Sequence, residues 1–425
     1  MAPGNGDAEP QAKRMKNDNG DACEPLVAGV RPFLVERFFA KHEFTAEFML
    51  GSSDAESLSV KELLELAKSR GDKAAQQEWE ELSLGYTESP GDPKLREAIA
   101  NLYGGPISPE QILCAVPEEG IFMTMSALLS PGDIVVAMTP AYQSLYEIAR
   151  AKGCQIKKWA AKYTAGVGWS YQLEDLRKAL DQNSGGQVRM VIANFPHNPT
   201  SWMPSPAEHA ELVSECRKRN LLLFSDEMYW GMAVAQGTPK PESSCVRYER
   251  AITLSGLSKA YGLPGLRVGW LATQDEEAMA KLRQMKDYLT ICGSAPSEAL
   301  AIIALRHGEV LLQRALATTR RNRELLHAFC AEFPGLFEWG PEPHEGLTKF
   351  IVLRGWAARM GSRGFADWCV QEASCVLVPS DCFEFPDPPA VRFGIGRTNF
   401  AQALDRLRSH LQKVQSSEGP AASAS

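Results

Sequence analysis

The reading of this sequence turns on residues 253–271, "TLSGLSKAYGLPGLRVGWL". An apolar run, Ala251 to Leu254, gives way to small and polar residues. A single lysine follows, Lys259, and then a glycine-bearing loop that ends in Arg267 and a second apolar run. A lysine just past a buried strand is costly to desolvate, so it either points into solvent or is held there for chemistry. Outward from this stretch, Val-, Ile- and Leu-rich runs ("QILCAV", "DIVVAM", "VRMVIA", "NLLLF", "AITL", "RVGWLA") alternate with helical stretches such as "EEGIFMTMSALL", "LEDLRKAL" and "PAEHAELVSECRKRN". That alternation predicts an α/β fold whose mainly parallel central sheet is flanked by helices. From about residue 310 a long helical stretch, short strands ("TKFIVL", "CVLVP", "VRFGIG") and a closing helix predict a smaller α+β domain.

In an open α/β sheet the ligand sits at the carboxyl ends of the strands. Three runs end on chemistry: "VRMVIA" on "NFPHNPT", "NLLLF" on "SDEMYW", and "AITL" on "SGLSKAY". Asn194 and Asn198, Asp226 and Tyr229, and Lys259 are thereby expected on one sheet edge. Singly they read as turn, N-cap and solvated residues. Together an amine, a carboxylate, a phenol and an amide are the groups that hold a pyridoxal phosphate ring.

The chain has 425 residues, 44% hydrophobic and 23% charged, enough for a large core and more than one domain. The expected division is an N-terminal extension at 1–24, an N-terminal part of the small domain at 25–60, a large cofactor domain at 61–309, a C-terminal small domain at 310–413 and a tail at 414–425. A net charge of -7 argues against nucleic acid or an anionic membrane as partner and leaves a small molecule. The 10 cysteines show no C-x-x-C pair and no zinc spacing, so no metal site is expected and the thiols read as reduced. No signal-like or bilayer-length apolar run is present, and the expected compartment is the cytoplasm. Neither a dinucleotide fingerprint nor a Walker-type loop occurs.

"NFPHNPT" (194–200), "DEMY" (226–229) and "SKAYGLPGLRVGW" (258–270) resemble, in order and spacing, the class I/II aminotransferase family, fold type I of the pyridoxal phosphate enzymes. So do "GYTESPGDPKLREAIA" (85–100), "PGDIVVAMTPAYQSLY" (131–146) and "VLVPSDCFEF" with "VRFGIGR" (376–397). The resemblance implies that Lys259 forms the Schiff base, Arg267 binds the cofactor phosphate, Asp226 faces the ring nitrogen, and Tyr229 and Asn198 donate to the ring oxygen. It implies Tyr142 stacked on the ring and Arg392, with Gly51 and Asn198, on the substrate side, the arginine gripping the α-carboxylate. Tyr86 is implied to reach a partner subunit's cofactor phosphate, hence a homodimer.

Three positions depart from the family pattern. Val116-Pro117-Glu118-Glu119-Gly120 stands where a Gly-Ala-x-Glu-Ala turn is usual, so the amides of Glu118, Glu119 and Gly120 are the candidate phosphate donors. Gly256 replaces a common serine, leaving Ser255 or Ser258 to supply a hydroxyl. Ser201 and Trp202 follow "NPT" where glycine is common.

The implied reaction is amino transfer from an α-amino acid to a keto acid. Carbon–sulfur lyases, aminocyclopropane carboxylate synthases and capreomycidine synthases share these residues and form the alternative, and a non-catalytic sensor is a third reading. For the substrate side chain, Trp202, Trp230 and Tyr142 point to a neutral or aromatic group, whereas Glu118 or Glu119 points to a basic one. Arg397 could face either way.

Overall fold

β-Branched and aliphatic residues buried on both faces favour parallel pairing, and here they build one seven-stranded sheet in this computed structural model. Its strands are β1 (Ile112–Ala115), β2 (Ile134–Thr139), β3 (Gln155–Ala160), β4 (Val188–Asn194), β5 (Leu222–Asp226), β6 (Ala251–Gly256) and β7 (Gly269–Ala272). The spatial order is β1-β7-β6-β5-β4-β2-β3. β7 runs antiparallel to both neighbours and the other pairings are parallel. The structure describes residues 29–182, 185–233, 241–340 and 345–415, together with the pairing of Met15–Lys16 with Ala22–Cys23. Most of the expected extension at 1–24, and all of the tail beyond residue 415, lie outside the described residues. Among the described residues no helix is long and apolar enough to cross a membrane.

Register brings the strand ends level, with Asn194 opposite Asp226 and Asp226 opposite Leu254. The chain leaves all three strands on one side of the sheet. The lysine loop, from Leu257 to Val268, is closed by the Leu257 amide donating to the Val268 carbonyl at 3.0 Å and the Leu263 amide donating to the Leu257 carbonyl at 3.0 Å. Gly262 turns that loop at φ +69°, where a Cβ would lie 2.6 Å from the Glu56 carbonyl oxygen.

The second sheet is antiparallel, in the order β8 (Phe337–Glu338), β9 (Thr348–Leu353), β11 (Ala390–Gly394) and β10 (Val378–Pro379). Residues 48–51 join its edge, through the Phe48–Cys375 bridge and the Gly394 amide donating to the Leu50 carbonyl. The helices that frame the two sheets include α1 (Leu34–His42), α2 (Pro117–Leu128), α3 (Gly308–Glu332), α4 (Gly361–Ala373) and α5 (Phe400–Gln415). α2 begins with Pro117 at its first position, where a missing N–H does no harm. The Glu119 carboxylate accepts from the Val116 amide at 3.3 Å.

Two elements that the sequence pattern does not announce are β3 and α1. β3 ("QIKKWA") is an edge strand whose lysines are largely accessible, so it lacks the apolar signature of its neighbours. α1 buries Val35, Phe38 and His42 while charged residues occupy positions between, a short amphipathic helix with no side-chain cap.

Candidate active site

The ends of β4, β5 and β6 form the floor of a cavity of about 640 Å³. Asn194 fixes the floor: its Nδ2 donates to the Asp226 carbonyl at 2.8 Å and its Oδ1 accepts from the Asn198 amide at 2.6 Å. The loops after β4 and β5 are thus locked to each other. Asp226 Oδ1 accepts from the Met228 amide at 3.1 Å, and burial pushes its carboxyl up to about 7. A buried acid held near neutrality in this way becomes firmly ionised once a cation is set against it.

Lys259 projects into the cavity and donates from Nζ to Ser53 Oγ at 3.1 Å. Burial lowers the amine's proton affinity, and the nearby Arg392 guanidinium lowers it further against the pull of Asp54, Glu36 and Asp226. Tyr229 shares the Ser53 hydroxyl, and burial raises its phenol well above the usual range. Tyr142 donates from its phenol to Glu36 Oε1 at 2.9 Å, which ties the cavity wall to α1. Arg267 also lines the cavity, in a left-handed conformation at φ 54°, with Nη1 donating to the Pro264 carbonyl at 3.0 Å.

The sequence left a choice at each departure, and the structure discriminates. Ser258 lines the cavity with a buried hydroxyl that has no partner among the described residues. Ser255 lies outside that lining and donates instead to the Glu227 carbonyl at 3.2 Å. Gly256 cannot be a serine here, because a Cβ would lie 2.9 Å from the Gly269 Cα. At the start of α2 the Gly120 amide is committed to the Val116 carbonyl at 2.9 Å, so the first-turn amides of Glu118 and Glu119 remain as donors. The Glu118 side chain reaches the cavity, where burial raises its carboxyl. The Glu119 carboxylate does not, since it bonds Val116 and the Thr290 hydroxyl.

Above the floor, Arg392 lies in β11 and is only 1% exposed. Its Nη1 donates to Asn198 Oδ1 at 2.9 Å and its Nη2 to the Gly51 carbonyl at 2.7 Å, while Nε has no partner among the described residues. Gly51 therefore acts through its carbonyl, and its Cα has no room for a side chain, since a Cβ would lie 2.9 Å from Val378 Cγ2. Tyr86 is 95% exposed and outside this cavity, on a surface with Leu82 and Arg306. Trp202 and Trp230 do not line the cavity either. Trp202 packs edge-on against Trp159 and at a tilt against Tyr171, and Trp230 stacks on Tyr103. The aromatic-substrate expectation thereby loses two of its three residues.

An unpaired buried hydroxyl or guanidinium N–H costs about 1–3 kcal/mol, and Ser258 Oγ in the cavity lining and Arg392 Nε above it are two such atoms among the described residues. A lysine amine, a buried carboxylate, two phenols and an arginine beside a helix start match, in kind, the groups that pyridoxal phosphate needs. The residues fit that cofactor. Fold and site together define a fold type I pyridoxal phosphate enzyme. A sequence model described as "Aminotransferase class I and II" matches residues 49–409, and the chain belongs to that family.

Among curated proteins the chain is 28% identical over 392 residues to capreomycidine synthase of Streptomyces vinaceus, covering 91% of this chain and 96% of that one. Among solved structures it is similar to a pyridoxal phosphate-dependent aminotransferase from Streptococcus suis, with a TM-score of 0.80 and 26% identity over 91% of this chain and 98% of the other. It is similar to the pyridoxal phosphate-dependent cyclase OrfR as well, with a TM-score of 0.79 and 26% identity over 90% and 97% of the two chains.

Sequence reasoning missed Ser53, Glu36 and the pairing of Arg397. Ser53 sits in "GSSDAES", a run of small polar residues that reads as a turn, and Glu36 sits in an unannounced helix. No local signal marks either one.

Proposed function

We propose that this chain transfers the α-amino group of an amino acid to a keto acid. The observation that supports an α-amino acid as the substrate is the buried Arg392, locked by Asn198 and Gly51 with Nε left over and close enough to Lys259 to lower its proton affinity, and amino transfer is the reaction the family description names. A free α-carboxylate supplies the partner that Nε lacks, and a fork-shaped grip fixes how the α-carbon faces the floor. Pyridoxal phosphate, when bound, supplies an electron sink that weakens the bonds at that carbon. Lys259 Nζ, with its proton affinity lowered, takes the α-proton and returns it to an atom on the same face. Asp226 holds the ring nitrogen's proton, and Ser53, bonded to both Lys259 and Tyr229, steers the amine between its positions. Arg267, Ser258 and the amides of Glu118 and Glu119 hold the phosphate.

A second reading is favoured by one observation. Capreomycidine synthase, a synthase by name, matches nearly end to end, and a cyclase lies as near in structure as an aminotransferase does. In that reading the proton leaves the α-carbon in the same way, and a substituent further along the side chain departs before Lys259 returns it. Mixing the holoenzyme with single amino acids and no keto acid separates the two. Transamination should release no more than one equivalent of keto acid per site, and further release should require added keto acid. Continuous product formation without keto acid establishes the lyase or cyclase reading. No change in visible absorbance with any amino acid leaves only a sensor.

The active unit is proposed to be a homodimer. Leu84 and Tyr86, at 80% and 95% exposure, and Tyr288, at 84%, are large groups that a second copy would cover. Sedimentation tests it, and a fully active monomer overturns it.

A further inference from the structure

The cavity has an acidic side that the cofactor does not use. Glu36 lies in the first turn of α1 and Glu43 caps its C-terminus, seven residues on, so the two stand on one face with Phe39 between them, and all three line the cavity. Each cation in the lining already has a partner or a task. Lys259 and Arg267 serve the cofactor. Arg397 donates from Nη2 to both oxygens of Asp54, at 2.9 and 3.0 Å, and its Nη1 lies 3.7 Å from Glu56. Asp226 answers the ring nitrogen. Glu36 and Glu43 remain as carboxylates with no ion-pair partner of their own among the described residues. Partial desolvation of this otherwise exposed residue, then the neighbouring charges of Glu36 and Asp54, raise Glu43 against the pull of Arg397 and Lys259.

An acidic cluster alone is common on helices. Here it faces a cavity that contains the unpartnered hydroxyl of Ser258, 4% exposed, and two lining residues that touch the buried Arg392: Asn198, which accepts from its Nη1, and Phe39, whose ring centroid lies 5.9 Å from its guanidinium carbon. The cavity is therefore built for a ligand, with its carboxylate-binding end at Arg392 and its acidic end at α1.

We propose that the acidic end takes the cationic side chain, a guanidinium or an ammonium, of the amino-acid substrate, held between the carboxylates of Glu36 and Glu43 with its methylene stem against Phe39. This rests on the reading that Arg392 binds the α-carboxylate. Glu36 also accepts the Tyr142 phenol at 2.9 Å, so the residue that reads the side chain also sets the wall against the cofactor. An acidic side chain would meet two carboxylates that no ion pair neutralises, with Lys259 and Arg397 acting on Glu43 only from a distance, and a neutral one would add no further cation to them. Phe39 offers an apolar surface for the stem, and its ring centroid lies 5.9 Å from the Arg392 guanidinium carbon, which places the stem between the two ends.

The test uses the holoenzyme and follows its visible absorbance and its heat of binding as L-arginine, L-lysine, L-norleucine and L-glutamate are titrated in. The expected result is half-saturation by arginine or lysine at a concentration at least about tenfold below norleucine, and lower still relative to glutamate. Glu36→Gln keeps an acceptor for Tyr142, and with Glu43→Gln it should shrink the arginine-to-norleucine ratio by about tenfold for each lost carboxylate. Glu43→Lys should shift preference toward glutamate. Because Glu43 is an exposed position at the end of a short helix, that variant is expected to fold even if changes at Glu36 disturb the cavity wall. A clear response to neutral or acidic amino acids with no advantage for cationic ones overturns the inference and leaves the reading of Arg392 standing. An arginine preference that survives both Glu→Gln changes overturns the assignment to α1. If none of the four produces a signal, and Arg392→Ala changes nothing either, the reading beneath the inference has failed along with it.

Discussion

The floor and the roof of this cavity are built in different ways. The floor consists of three strand ends and their loops, buried, cross-tied by Asn194, and positioned by parallel pairing that leaves little freedom of register. The roof consists of α1, residues 51–56 and the neighbourhood of β11, joined by charged and hydroxyl contacts such as Arg397 with Asp54, Tyr142 with Glu36 and Arg392 with Gly51. A floor made from backbone geometry suits chemistry that must always find the cofactor in one place. A roof made from side-chain pairs lets substrate choice change without disturbing that geometry.

The contrast makes its strongest claim at Lys259. Lys259→Ala removes the proposed proton carrier of the floor and should lower kcat by about 10⁴-fold with the fold intact. Borohydride reduction of the wild-type holoenzyme should fix the cofactor on the peptide that contains this residue. Normal turnover by the alanine variant would break the division of labour outright.

Arg392→Ala tests the junction between the two regions. It leaves the α-carboxylate without its fork and should cost about 2–5 kcal/mol in kcat/KM, roughly 30- to 4,000-fold, with cofactor retention preserved. Loss of cofactor together with substrate affinity would mean that Arg392 supports the floor through Asn198 rather than serving the substrate.

Asp226 sharpens the comparison through pH. In the cofactor-free protein its folded-state value, about 7, lies above the 3.8 of an ordinary aspartate. The folded state therefore binds the proton more tightly than the unfolded chain does. The stability this contributes is full below about 4 and is lost as pH rises through about 7, on the order of a few kcal/mol. Asp226→Asn should flatten that loss in thermal melts of the apoprotein, making it more stable than wild type at about pH 8. With cofactor bound, the same variant should lower kcat, because the amide cannot hold the ring nitrogen's proton. An apoprotein whose stability rises between about pH 5 and 8 through this residue would contradict the burial argument.

The two regions also differ in how much the sequence says about them. β4, β5 and β6 announce themselves by apolar runs, and a residue just past such a run has one place to be. The order of residues alone therefore puts Asn198, Asp226, Tyr229 and Lys259 on one edge. Ser255 and Ser258 flank the lysine stretch alike in sequence, and only the path of the loop separates the one in the cavity from the one bonded to Glu227. In the roof, Glu36, Ser53 and Asp54 sit about 200 residues or more from Lys259, and their roles arise from contacts across that separation, 206 residues in the case of Ser53. Trp202 shows the reverse error: a large side chain beside a motif suggests a pocket wall, while its ring is taken up by the core aromatic cluster of Trp159, Tyr171 and Phe195.

The smallest effect is expected where the roof is strapped to the floor's outer helices. Arg31 donates from its backbone amide and Nε to the buried Glu147, at 2.7 and 3.0 Å, and its Nη1 lies 2.7 Å from Glu384. The Leu34 amide, at the first residue of α1, donates to Gln143 at 2.9 Å, and Gln143 in turn donates to the Pro32 carbonyl. These contacts set where α1 begins, and through α1 the positions of Glu36 and Tyr142. Arg31 is 42% exposed, and Glu147 keeps Arg150 as a second partner, so solvent screening and redundancy hold the expected stability loss in Arg31→Ala to about 1 kcal/mol or less. If the strap serves the roof alone, KM should rise by a few-fold while kcat and cofactor retention stay within about twofold of wild type. A variant that lost cofactor as readily as it lost substrate would show that α1 supports the floor as well, since Tyr142 belongs to both regions and Glu36 would then be holding it in place for the ring rather than for the substrate.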